Sequence, residues 1–266
     1  MNDTITLNQW QRYRDILKKL SDKAADEFRD AVWSQTGYFK GVGLGNIPRQ
    51  DLINYAYALV TKYSEGATEA ACEFYDAIAA LAGADVPAAV PAETASIGDV
   101  GKTLNGVIKQ SQNQELIAAA MGRLVKQAGQ DTTLQNALRD GAEFAWIPSG
   151  DTCAFCITLA SRGWQTASKD VIKNGHAEHI HGNCDCAYAV RFNGVPGYQG
   201  YDPEKYEDMY YGAPLDGDSP TPKNRIDAMR RQAYQRNKEK INAQKRAAYA
   251  KRKELNNSKS EEINVN

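Results

Sequence analysis

The chain has 266 residues, 42% of them hydrophobic, with a mean hydropathy of -0.58, enough for one large domain or two modest ones with a sizeable core. No run of about eighteen apolar residues occurs, which excludes a bilayer-spanning helix. MNDTITLNQWQRYRD lacks the basic-then-apolar layout of a secretory signal, so the protein is expected to stay where it is made. The formal net charge is -1, but Thr221 to Leu255 holds twelve Lys/Arg against three Asp/Glu, about +9, which leaves about -10 for the remainder.

The first half is helical in pattern. Trp10, Tyr13, Ile16, Leu17, Leu20, Ala24, Phe28 and Val32 recur at three- and four-residue steps and predict an amphipathic helix. GYFKGVGLGNIPRQ reads as a glycine-rich connection rather than a nucleotide cradle. Pro48 then opens a second helix over DLINYAYALVTKYSE, with a break at Gly66 and a third helix to about Leu81. ADVPAAVPAETAS, with Pro87 and Pro91, is a connection. VGKTL at 100–104 lacks the earlier glycine of a phosphate loop, where Ser96 stands, and reads as a helix start. Two further helices are expected around QELIAAAMGRLVKQ and TTLQNALRDGAEFAW.

From Pro148 the character changes. SGDTCAFCITLASRG predicts a short apolar helix with Asp151 as N-cap and Gly163 as its stop. WQTAS and CDCAYAVRF read as short strands flanking the polar stretch KDVIKNGHAEHIHGN. Beyond Phe192, Asp202-Pro203 opens a short helix in a Gly-, Tyr- and acid-rich stretch. The last segment has high helix propensity but a poor apolar stripe, in which Ile226, Met229, Ala233 and Ile241 begin a seam that dissolves into charge.

Of five cysteines, Cys72 reads as a small buried thiol on a helix, while Cys153, Cys156, Cys184 and Cys186 form C-x2-C-x27-C-x-C. Without a secretory signal, paired cysteines read first as metal ligands or redox groups. Zinc closes structural sites with four cysteines, or with three and a histidine, and a C-x-x-C at a helix start favours the deprotonated sulfurs. Cys153, Cys156 and Cys184 are therefore the expected core of a structural zinc site, with His181 or Cys186 as the fourth ligand. A metal clip would substitute for buried area in so small a unit.

Other chemistries fit less well. His176-Ala177-Glu178 supplies the His-x-Glu of a zinc deaminase, but the C-x-x-C precedes it and the later pair is C-x-C. A His-Asn-His nuclease needs separated histidines, and all three here lie within six positions. A thioredoxin-like dithiol leaves the second cysteine pair unexplained. The one-signed charge of the tail, carried by Arg230, Arg231, Arg236, Lys238, Lys240, Lys245, Arg246, Lys251, Arg252 and Lys253, points to an acidic partner, either nucleic acid or a protein surface.

GDTCAFCITLASRG followed by His181-x-Asn183-Cys184-x-Cys186 resembles the minor capsid, or head morphogenesis, proteins of tailed bacteriophages, the MuF-like group. Gly150, Asp151, Cys153 and Cys156 match the first segment, and GATEAACEFYDAIAAL resembles the Ala-rich helix of the actinophage-like branch. The similarity runs roughly from Leu52 to Val190 and leaves out the basic tail. Two departures stand out: Trp146-Ile147-Pro148-Ser149, where relatives often carry an Arg, and the extra His176 and His179, which leave the fourth ligand open.

The resemblance implies a non-enzymatic virion component in few copies, inside the capsid and in the host cytoplasm during assembly. Its implied partners are portal and capsid proteins, with packaged DNA as a further one through the tail and no membrane. The expected architecture is α+β, mainly α: a helical domain over 1–147, a zinc-stapled α+β module over 148–200, and a linker with a basic helical tail over 201–266. The alternative is a zinc-dependent nucleic-acid enzyme of deaminase type, with three protein ligands and a water near Glu178 in place of a closed four-ligand site.

Overall fold

A computed structural model describes residues 4–149, 152–173, 186–217 and 219–263. The described chain is α+β and mainly α. Helix α1, Leu7–Trp33, opens on a capping box in which Thr6 Oγ1 accepts from the Gln9 N–H and Gln9 Oε1 accepts from the Thr6 N–H. Its apolar stripe buries Trp10, Tyr13, Leu17, Ala24, Phe28 and Val32, while Ile16 turns outward at 47% exposure.

Helix α2, Arg49–Ala82, runs unbroken through Gly66, where the sequence predicts a break. A glycine inside a helix costs about 1 kcal/mol relative to alanine, and that cost is overridden because Leu52, Ala56, Val60, Tyr75 and Ile78 bury on both sides of it. The helix ends where Gly83 takes the left-handed conformation. The proline connection after it lies against helix α4, Gln114–Asp140. Asn136 of α4 receives the Val90 N–H and donates to the Val90 carbonyl, and Thr132 receives the Ala92 N–H. Helix α3, Ile97–Gln110, is capped by Ser96, so Gly101 and Lys102 sit in a helix whose N–H groups are spent on its own carbonyls.

Helix α4 is the centre of the fold. It is buried on nearly every side, including the polar Lys126, Gln130 and Asn136, as a helix surrounded by other elements must be. Two glycines set its distance from its neighbours: a Cβ on Gly122 would lie 2.5 Å from the Ser21 carbonyl oxygen of α1, and one on Gly129 would lie 3.1 Å from the Ala67 carbonyl oxygen of α2. The sequence predicts two helices here, the second reaching Trp146; instead one helix stops at left-handed Gly141. The following EFAWI is strand β2, Glu143–Ile147, the middle of a three-stranded antiparallel sheet.

In that sheet β2 lies between β3, Gln165–Thr166, and β4, Ala187–Arg191, with Ile147 opposite Ala187 and Glu143 opposite Arg191. The last pair is bidentate, both oxygens of Glu143 accepting from Arg191 at 2.9 Å, and the guanidinium lies over the Trp164 ring. The sheet thus draws on both sides of position 147, and its Phe144, Trp146, Tyr188 and Val190 share one buried cluster with residues of α1, α2 and α4. A second link ties the start of the chain to the segment after β4: β1, Thr4–Ile5, pairs in parallel with β5, Gly197–Tyr198. Trp10 meets Tyr198 edge-on at 5.4 Å, and Tyr198 in turn meets Trp164.

Beyond the sheet, helix α5, Ala154–Ala160, ends at Ser161, two residues before left-handed Gly163. Helix α6, Lys169–Lys173, follows β3. Helix α7, Pro203–Tyr211, starts as predicted from Asp202, which caps Glu204 and Lys205, with Pro203 as the first helical residue. Helix α8, Pro222–Ile263, is 42 residues long. Its first turns carry part of the predicted seam: Met229 and Ile226, together with Ala228, pack on Ile157 of α5, Met209 of α7 and Ala213 just beyond it, while Ala233 is half-buried and the Ile241 side chain lies outside the described ones. Among the described residues, no helix is long and apolar enough to cross a membrane.

Candidate metal centre and basic helix

The cysteine site starts at the end of strand β2. Strand β2 ends at Ile147 and α5 begins at Ala154, with Cys153 as its N-cap rather than the predicted Asp151, which lies outside the described residues. The Cys153 sulfur accepts the Cys156 N–H at 3.4 Å, taking over the role expected of a carboxylate. Cys153 is exposed at the surface, while Cys156, one turn on, faces the core. Cys186 is also buried and immediately precedes β4, whose first residue, Ala187, pairs with Ile147. Cys186 and Pro148, which follows Ile147, therefore lie at the same end of the sheet, and both Cys156 and Cys186 belong to the main buried cluster. Tyr188, two residues past Cys186, has its hydroxyl pushed well above the usual phenol range by burial, with Arg162 opposing. Burial raises Tyr206 of α7 as well, with Cys186 and Asp202 adding to it. His176, Glu178, His179, His181, Asn183 and Cys184 lie outside the described residues. Three of the five predicted ligands are thus described, and Cys72 stands apart on α2, half-buried, its thiol raised by burial.

The predicted basic residues lie on α8. From Arg230 to Arg246 every Lys and Arg is exposed. Arg230 pairs with Asp227 at 3.2 Å and Arg231 with Asp216 at 3.6 Å. Lys251, Arg252 and Lys253 continue the same helix. Where α8 leaves the body, a cleft of about 480 Å³ is lined by Thr152, Lys205, Tyr206, Arg236 and Asn237. Sequence reasoning picks out Arg236 but misses Lys205 and Asn237. Lys205 sits in an acid-rich stretch and joins the cationic set only because α7 packs beside α8.

A second concavity, about 560 Å³, opens between α3 and α4, lined by Val107, Leu116 and Ala120 with Lys102 and Arg123 at its edge. Burial lowers the Arg123 pKa. Beside it Asp131, largely buried and receiving a hydrogen bond from Gln127, has its carboxyl pushed up to about 6.

The family model of the VG15 protein matches residues 4–213, more than three quarters of the chain. The chain belongs to the VG15 protein family. This is a viral family, which makes the chain a phage protein. The VG15 match takes in β1 through α7, the cysteine centre included, and stops before α8 begins. No curated protein and no solved structure matches the chain.

Proposed function

We propose that this VG15 protein is a minor head protein of a tailed phage or prophage, a non-enzymatic component in few copies that works with portal and capsid proteins in head assembly and in DNA packaging or delivery. The observation that carries this reading is the coincidence of two signals on one stretch. The phage family match over 4–213 contains both cysteine segments that resemble the MuF-like group, and of their described members Cys153 caps α5 while Cys156 and Cys186 share the main buried cluster.

In this reading the cysteine centre holds a structural zinc. Cys153, Cys156 and Cys184, with His181 or Cys186, would bind it. The donor set fits: three thiols with one imidazole, or four thiols, is what tetrahedral zinc takes in closed sites. The metal would supply a cross-link between the start of α5 and the start of β4, where the sheet strands are only five residues long. The protein sits inside the capsid, and in the host cytoplasm before the head is complete. Deleting the gene from a phage that carries it tests the reading: heads should fail to mature or to deliver DNA, and complementation should restore them. Full yields of infectious particles without the gene would overturn it.

A further inference from the structure

The charge on α8 is distributed in a way that selects among acidic partners. The seven Lys/Arg between Arg230 and Arg246 face a single acid, Glu239, in that stretch. At 100° per residue they surround the helix axis, leaving no gap wider than about 80°. Among the described residues, Arg236, Lys238, Lys240, Lys245 and Arg246 have no ion pair, so their charge is not neutralised by the chain itself. An acidic protein surface touches one side of a helix, and cations on the far side would gain nothing from it. A nucleic-acid groove is different: the major groove, about 12 Å wide, accepts a helix between two phosphate rows and meets charge on both flanks.

The root of α8 adds a fixed point. Ala228 and Met229 anchor the helix to α5 and α7, so the cleft beside them is held by packing rather than by loops. Lys205 from α7, with Arg236 and Asn237 from α8, brings two cations and an amide to that cleft, the donors a phosphate oxygen takes.

We propose that α8 and the cleft at its root bind duplex nucleic acid through its backbone, without regard to sequence: the helix lies between two phosphate rows, and Lys205, Arg236 and Asn237 seat a phosphate where it leaves the body. The inference rests on the proposed head function only for which duplex is met, the packaged genome.

The test uses the full-length protein and a fluorescent DNA duplex of about twenty base pairs, with affinity measured against salt. Two unrelated sequences should bind within about threefold of each other, with log K falling by about five to seven per tenfold rise in salt. Changing Lys245 and Arg246 to Gln should make that slope shallower by about two, and so should Lys205→Gln with Arg236→Gln. All four positions are exposed, and unchanged circular dichroism confirms the fold. Polyglutamate of equal charge should not displace the duplex. No binding at about 50 mM salt, or displacement by polyglutamate charge for charge, would overturn the proposal, the latter in favour of an acidic protein surface. An unchanged slope in the Lys205→Gln, Arg236→Gln protein would remove the cleft from it. Incorporation into particles is read separately, so a chain found in virions that ignores DNA overturns this inference alone.

Discussion

Gln130 of α4 and Tyr188 of β4 are joined across the main interface: the Gln130 side-chain oxygen accepts the Tyr188 backbone N–H at 2.7 Å, and both residues are almost wholly buried. Among the described residues β4 is an edge strand, paired with β2 on one side only. A glutamine from the central helix does on its outer edge what another strand would do, and so ties the sheet to the helices with a polar bond inside an apolar contact.

Replacing Gln130 with Leu keeps the volume and strands that N–H. The expected cost is about 1–3 kcal/mol, the penalty of a buried donor without a partner. Urea unfolding measures it; a change below about 0.5 kcal/mol would mean that Gln130 does not fasten the edge.

Two glycine-to-alanine changes should have opposite signs. A Cβ at Gly122 meets the Ser21 carbonyl oxygen at 2.5 Å, so Gly122→Ala must push α4 off α1 and cost about 1–3 kcal/mol. At Gly66 the nearest atoms are the Leu20 methyls at 3.5 Å, an ordinary contact. Gly66→Ala should therefore add about 0.5–1 kcal/mol of helix propensity. Destabilisation by Gly66→Ala would contradict a continuous α2.

Asp131 makes stability depend on pH in an unusual direction. Burial raises its carboxyl from 3.8 to about 6, against the pull of the Gln127 hydrogen bond. The native state then holds its proton more tightly than the unfolded chain, so the contribution of this group falls as pH rises through the interval from about 4 to about 6. The loss is of order 1–3 kcal/mol, complete above that interval. Asp131→Asn should remove this pH dependence and be the more stable protein at pH 7.5. Parallel stability–pH profiles for the two proteins would show that Asp131 titrates normally.

Much of the fold can be read from the sequence where local signals act alone. The α1 stripe, the Asp202-Pro203 start of α7, the helical tail and the start of its short apolar seam at Ile226 and Met229 all follow from spacing and capping. Strand β2 does not. Phe144, Ala145, Trp146 and Ile147 form a short apolar run whose period fits helix or strand, and its partner β4 begins 40 residues after β2 ends, so only tertiary pairing decides. Gly66 misleads for the same reason: packing against α1 and α4 outweighs the local penalty. At the site, the C-x-x-C helix was legible, but its cap was not, because a cysteine sulfur takes the place expected of Asp151. Lys205 and Asn237 were hidden, since the cleft that unites them exists only once α7 and α8 are packed.

The cysteine centre has a direct readout. Protein purified without chelator should contain about one zinc per chain. Cys156→Ser should lose it and lower the stability of the sheet end where Ile147 meets Ala187, detected as faster amide exchange in β4. A fully folded wild-type protein without metal would rule out the structural zinc.

The head role is tested most directly by quantitative mass spectrometry of purified virions from a phage that encodes this VG15 protein. A minor head protein should be found in every preparation at a few copies per particle, resistant to external protease until the capsid is opened. Particles that are infectious and contain none of it, although the gene is intact and expressed, would contradict the assignment.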